Sequence, residues 1–301
     1  HPNFYGIGAT TFAPFIGGVV GNGSTLNVYL NCPEGSFIGI LGAVSSNAGG
    51  ASATASANTV SGLTVNGLIR GRNKVGIVGF HDNYAPSLLG YDRESTIELT
   101  DVTNNANVYG AFYVGGILGA SNSSDESDGM RLVRVKVTNC RNNGAISGTY
   151  RVGGDIGALG TNVATAADMS NVSNYGSVTG SDYNDGLAYN LQNAESIGGV
   201  VGSVRDRINV NGAIANYGNV TLNGTGQYAG GIMGYTEFGF LMGENGSVRN
   251  EGQIRGYDST GGLIGYASKY NEQCVYVPDG TVNANTVTGN QYVGGLVGRI
   301  Q

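Results

Sequence analysis

Short runs of alternating apolar and polar residues recur along this chain, and no stretch carries the 3.6-residue period of a helix. RVKVTN (134–139) sets Val135 and Val137 on one side and Arg134 and Lys136 on the other. TIELTDV (96–102) does the same with Ile97 and Leu99, and CVYV (274–277) with Val275 and Val277. A period of two predicts strands. Between these runs stand turn-forming strings such as NN, NG, DG and NYG.

A second pattern overlies the first. The string apolar–Gly–Gly–apolar–apolar–Gly appears as FIGGVVG (15–21), YVGGILG (113–119), SIGGVVG (196–202), YAGGIMG (228–234), STGGLIG (259–265) and YVGGLVG (292–298). RVGGDIG (151–157) carries Asp155 in the first apolar slot. FIGILG (37–42) and KVGIVG (74–79) read as shorter copies without the first glycine. The second glycines of the full copies are Gly18, Gly116, Gly154, Gly199, Gly231, Gly262 and Gly295. With Gly39 and Gly76 there are nine copies, spaced 21 to 45 residues apart, as expected of a constant frame decorated by loops of unequal length.

Upstream of most copies lies Asn-x-Gly-x-(Ile/Val)-x-Gly, as in RNNGAISG (141–148), SNYGSVTG (173–180) and RNEGQIRG (249–256). Its last glycine precedes the next diglycine by 5 to 7 residues, except after Gly180, where the distance is 19. Residues 181–195 (SDYNDGLAYNLQNAE) therefore read as an insertion into an otherwise regular rung.

One such unit cannot bury its apolar face alone, but a stack of them can. The chain is expected to be all-β: a parallel β-solenoid, or β-helix, right-handed, of about nine glycine-rich rungs and about 43 Å long at the strand spacing of 4.8 Å. It forms a single domain over 1–301, with degenerate rungs over 1–64 and regular ones over 65–301. The diglycines are expected to turn corners with φ > 0 or to let rungs approach closely. The two apolar residues after them are expected to face opposite sides, one into the lumen. A propeller, with its larger aromatic content, and a dinucleotide-binding turn, which needs a following helix, both fit less well.

These strings resemble the GLUG motif, a glycine-rich repeat of bacterial surface and secreted proteins. GGIMGY (230–235), GGLIGY (261–266) and SNYGSVTG carry the likeness, which covers 65–298 well and 1–64 loosely. The motif occurs in adhesin-like proteins and in non-catalytic regions of immunoglobulin A-cleaving metallopeptidases. The resemblance implies an extracellular or cell-surface location and a part in attachment or spacing. It transfers no catalytic residue.

Composition agrees with this picture. Gly reaches 54 residues of 301, charged residues only 12 %, and Trp is absent, so the core uses small and β-branched side chains. Net charge is −6 with three lysines, which gives no electrostatic footprint for nucleic acid. No run of 18 apolar residues exists to span a membrane as a helix. With His1 at its start, the chain reads as a mature form or an excised fragment. Cys32, Cys140 and Cys274 have no CxxC spacing and read as three buried small hydrophobes.

Candidate chemistry is sparse. HExxH and GxSxG are absent, and His81, in FHDNYAPS, reads as a structural residue in a loop. Asp155 reads as an outward-facing residue or as half of a polar site with Arg151. No cofactor is expected, calcium excepted: SNSSDESDG, with Asp125 and Asp128, and SDYNDG, with Asp182 and Asp185, read either as solvated turns or as oxygen-rich Ca²⁺ loops. Tyr183, Asp185 and Tyr189 in the insertion are the candidate binding residues, because loops that interrupt a repeat tend to lie on its binding face. The expected partner is a host or neighbouring cell-surface protein or glycan. Gly231→Val is expected to destabilise more than a change at Tyr183. Two further readings stay open: end-to-end assembly through the solenoid ends, prompted by the chain stopping at Gln301 after a full GGLVG copy, and a carbohydrate-active β-helix enzyme, which would need paired carboxylates.

Overall fold

The computed structural model describes residues 23–45, 56–83, 93–123, 131–160, 166–182, 193–268 and 276–301. These fold as a parallel β-solenoid without helices: 34 strands, each paired with its equivalent one rung away. The rung from Arg131 to Leu159 shows the plan. The long strand Arg131–Asn142 is followed by Ile146–Gly148, Tyr150–Gly153 and Ile156–Leu159. The first two contribute to an 18-stranded sheet, and the last two to separate eight-stranded sheets. Eight rungs are complete in those two sheets. The ninth diglycine copy, at 15–21, and with it Gly18, lies outside the described residues.

Stacking in register turns each position of the repeat into a column. Leu41, Val78, Leu118, Ile156, Val201, Met233, Ile264 and Val297 form one such column. Leu30, Ile69, Val108, Ile146, Val178, Val220, Ile254 and Val287 form another. Both belong to a single core that fills the lumen. Ile97, Leu99, Val135 and Val137 are buried while Arg134 and Lys136 are exposed, as the alternation required.

Two expectations about the diglycines need correction. Positive φ does not fall on them. It falls on the residue two places before the first glycine, in every described rung: Phe37, Lys74, Tyr113, Arg151, Ser196, Tyr228, Ser259 and Tyr292, with φ between 44° and 64°. A left-handed L-residue costs about 1 kcal/mol or more, so the stack must hold each of these bends in place. Where the bend carries a long side chain it sends that side chain outward, whereas Ser196 and Ser259 stay buried, and the next residue, such as Val75, Val114 or Ile197, goes into the core. The two residues after the diglycine also do not diverge: Ile117 and Leu118 both lie fully in the core.

What the diglycines supply is room. A Cβ on Gly231 would overlap the Gly262 carbonyl oxygen of the next rung and stand 2.5 Å from Cγ of Asn250. Gly116, Gly154, Gly199 and Gly262 face the next rung's Asn142, Asn174, Asn216 and Asn283 in the same way. Those asparagines form a buried ladder that begins at Asn104. In each rung Nδ2 donates to the carbonyl two residues on and to Oδ1 of the next asparagine, as from Asn174 to Gly176 (2.8 Å) and Asn216 (2.8 Å). The links Asn104–Asn142, Asn142–Asn174, Asn216–Asn250 and Asn250–Asn283 repeat it at 2.7–2.8 Å. A buried amide is costly unless its donors and acceptor are engaged, and the ladder engages them.

Register also corrects the reading of the two short copies. Val75 pairs with Val114 and Val78 with Leu118, so one residue fewer separates the pair in the earlier rung. Gly76 therefore matches Gly115, and the glycine missing is the second, not the first. The same two rungs carry Leu26 and Val65 in the asparagine column. Six rungs have both the asparagine and the second glycine, and two have neither. The added glycine and the amide it accommodates form one device.

Candidate functional site

The insertion starts and ends on fixed points. Ser181 N–H donates to Gly148 O and Glu195 N–H to Thr149 O, so the rung resumes its register after the excursion. Asp182 Oδ1 accepts the Ala194 N–H at 2.8 Å and closes the base of the loop. Tyr183, Asp185 and Tyr189 lie outside the described residues, as do Asp125 and Asp128 of the other acidic loop. Asp182 is the one described member of the Ca²⁺ set, and among the described residues no three His, Cys, Asp or Glu side chains gather to hold a metal.

The lumen contains the residues that composition alone would nominate for chemistry. His81 lies on the strand Val78–Asn83 rather than in a loop. Its Nδ1 is 2.8 Å from Oγ of Ser121, its register partner one rung on. A serine beside an imidazole is half of a nucleophilic triad. Here both side chains are fully buried, and burial lowers the His81 pKa to about 3, so the ring is neutral and sealed from any substrate. Cys140 is buried too, its Sγ donating to Leu99 O at 3.3 Å, and burial raises its thiol to about 12. Cys32, by contrast, is exposed, so the expectation of buried cysteines fails there, and Cys274 lies outside the described residues.

Asp155 does not face outward. It stands in the lumen between Ile117 and Val200, fully buried, and neither carboxyl oxygen has a hydrogen-bond partner. Nor does it pair with Arg151, whose guanidinium lies on the outer surface over the rings of Tyr150 and Tyr113. Desolvation alone raises the Asp155 pKa well above the carboxylate range. The folded chain thus binds a proton that the unfolded chain loses above about pH 4, and the cost of this carboxyl grows as pH rises. Asp155→Val, which restores the residue type of the neighbouring rungs, is expected to stabilise by roughly 1–4 kcal/mol at pH 7. The gain should shrink towards pH 4, and chemical denaturation at the two pH values measures it.

On the outside, stacking lines up polar and aromatic side chains. The left-handed column lies against the outer face of the last sheet. Lys74 Nζ sits 3.9 Å from the centre of the Phe80 ring and 4.7 Å from that of Phe37. Further along, Tyr228 stacks on Tyr266 with centroids 4.5 Å apart, Tyr235 lies 5.8 Å from Tyr266, and Arg299 covers Tyr292 at 4.6 Å. Burial raises the Tyr228 phenol to about 12, helped by the nearby Glu195 carboxylate. Glu195 itself is raised by desolvation, against the pull of Arg151. On a different side of the rod Tyr175 stacks on Tyr217 at 4.5 Å, with Arg141 over the Tyr175 ring. These ladders were missed in the sequence. For the column of left-handed residues the signal was the residue two places before the first glycine of each copy, which is aromatic or basic in six of the eight described rungs.

No family model, curated protein or solved structure matches this chain. The geometry of the rod is therefore the ground on which its function is read.

Proposed function

We propose that the chain is a non-catalytic extracellular scaffold that attaches to a surface through its outer face. One observation carries this reading: the solenoid seals its nucleophile-like pair, Ser121 and His81, inside the lumen and presents ordered rows of Tyr, Arg and Asn outside. Tyrosine and arginine dominate recognition surfaces because they bury large areas with few rotatable bonds and retain polar ends. A rigid rod also holds such groups at fixed spacing, which suits attachment at several points. The resemblance to the GLUG repeat of bacterial surface proteins supports the same reading and an extracellular or cell-surface location. The partner is then a protein or glycan of a host or neighbouring cell.

The test is retention of the purified, fluorescently labelled chain on intact epithelial and bacterial cells. Saturable retention, competed by unlabelled chain, is expected. Retention no greater than that of an inert protein of equal charge rejects the proposal.

A further inference from the structure

One face of the stack is open in a specific way. The strands Thr281–Asn283, Val287–Thr288, Val293–Gly294 and Val297–Ile300 each pair with the preceding rung along one edge only. Leu296 is 41 % exposed and Val293 47 %, although Leu263 and Thr260, their counterparts one rung earlier, are fully buried. The N–H groups of Leu263 and Ile264 both donate to Leu296 O, at 2.9 and 3.0 Å. Leu296 and Val297 hold the same places one rung on, so their own N–H groups point to the open edge. Asn283 stands at the end of the inner ladder. Its Nδ2 donates to Asn285 O at 2.9 Å and its Oδ1 accepts from Asn250, but the second N–H, which every earlier asparagine passes to the next, finds no acceptor among the described residues. At Gly116, Gly154, Gly199, Gly231 and Gly262 the next rung's glycine carbonyl closes over the glycine, whereas nothing lies within 4 Å of a Cβ on Gly295.

We propose that this face binds one further rung of the Asn–Gly–Gly type, presented by a partner polypeptide as parallel strands. Continuity with the interfaces inside the rod decides the occupant, since each of them shows what such a face accepts. An apolar cap covers Val293, Leu296 and Ile300 but buries the Asn283 N–H without an acceptor, which is costly. The first described rung of a second copy fails for the same reason: it carries Leu26 in the asparagine column and a single glycine at Gly39. A partner asparagine supplies the missing Oδ1, a partner diglycine brings its carbonyl over Gly295, and partner strand carbonyls accept from Leu296 and Val297. Strand addition of this kind draws affinity from main-chain hydrogen bonds and specificity from the side-chain positions. The sides of the rod, on which the attachment reading rests, are not involved, so either can fail without the other.

The experiment titrates the intact chain into a fluorescently labelled synthetic peptide of residues 247–268, which spans one Asn–Gly–Gly rung, and follows anisotropy. Saturable binding is expected. The same peptide with Asn250→Leu should bind at least tenfold more weakly. Gly295→Ala in the chain should also weaken binding at least tenfold, because its methyl group enters the space of the incoming carbonyl, while its melting temperature stays unchanged because nothing in the rod surrounds it. Tyr175→Ala, on a side of the rod, should leave binding unaltered. Absence of binding, equal binding of the two peptides, or undiminished binding to Gly295→Ala overturns the proposal. Sedimentation of the chain alone tests the other occupant: particles that grow with concentration, and fail to grow in Gly295→Ala, assign the face to a second copy and overturn the choice made here.

Discussion

Gly231→Ala should lower stability by roughly 3–5 kcal/mol, while Gly295→Ala should change it by less than about 0.5 kcal/mol. The two glycines occupy the same place in the repeat, so sequence pattern alone gives no reason to separate them. Packing does. The single added carbon at position 231 meets the Gly262 carbonyl oxygen and the Asn250 side chain, both held by the next rung, and backbone cannot give way as a flexible side chain can. At Gly295 nothing lies within 4 Å of the same carbon. Neither glycine has positive φ, so the contrast isolates crowding from backbone conformation. At the usual scaling for a chain of this size, the loss at 231 corresponds to a fall of about 5–8 °C in melting temperature. Gly231→Val exceeds the alanine change, since its two further methyl groups enter the same space. Calorimetry of the purified variants measures all three.

The second large effect is expected in the asparagine ladder. Asn216→Ala removes one rung of it and strands two groups, one N–H of Asn174 and the carbonyl of Gly218, while Oδ1 of Asn250 keeps only the Gly252 N–H. All are buried, and an orphaned buried polar group costs about 1–3 kcal/mol, so the loss should reach roughly 2–6 kcal/mol. The rod supplies its own control. Asn27, Asn66, Asn105 and Asn143 form a second ladder on the outside, linked at 2.7–3.0 Å. There water replaces a lost partner, so Asn105→Ala should cost under about 1 kcal/mol. Equal losses at Asn216 and Asn105, by urea denaturation, would show that the inner ladder has no special standing.

These two effects mark where sequence reading succeeds and where it stops. The strand type, the parallel stacking and the insertion after Gly180 were legible because alternation and repeat spacing follow directly from side-chain direction and rung length. Val135 against Lys136 needed nothing more. The role of the diglycines was only half legible. A glycine in a repeat signals either unusual φ or close approach, and the string itself does not say which. Here close approach applies, and the positive φ went to Tyr113, Arg151 and Tyr228, residues whose type disfavours it. The asparagines looked like turn formers because Asn-x-Gly is a turn string. Their burial depends on the next rung's backbone, which a single repeat does not contain. Asp155 misled for a related reason: a lone carboxyl in an apolar slot suggests that the slot turns outward, whereas the column keeps its direction and the carboxyl goes inward with it. The candidate site was the least legible part. The stacked pairs of outer tyrosines lie 31 or more residues apart in sequence, as Tyr235 and Tyr266 do, and become neighbours only once register is fixed.

Register is thus the claim on which the glycine column, the ladders and the outer face all depend. The most direct test is the proton environment of the Asn216 side-chain amide, read by nuclear magnetic resonance on asparagine-labelled protein. In-register parallel rungs predict contacts from this amide to Asn174 and Asn250, 42 and 34 residues away, and slow exchange with water. Contacts confined to residues near 216 in sequence, with fast exchange, would contradict the stacked solenoid.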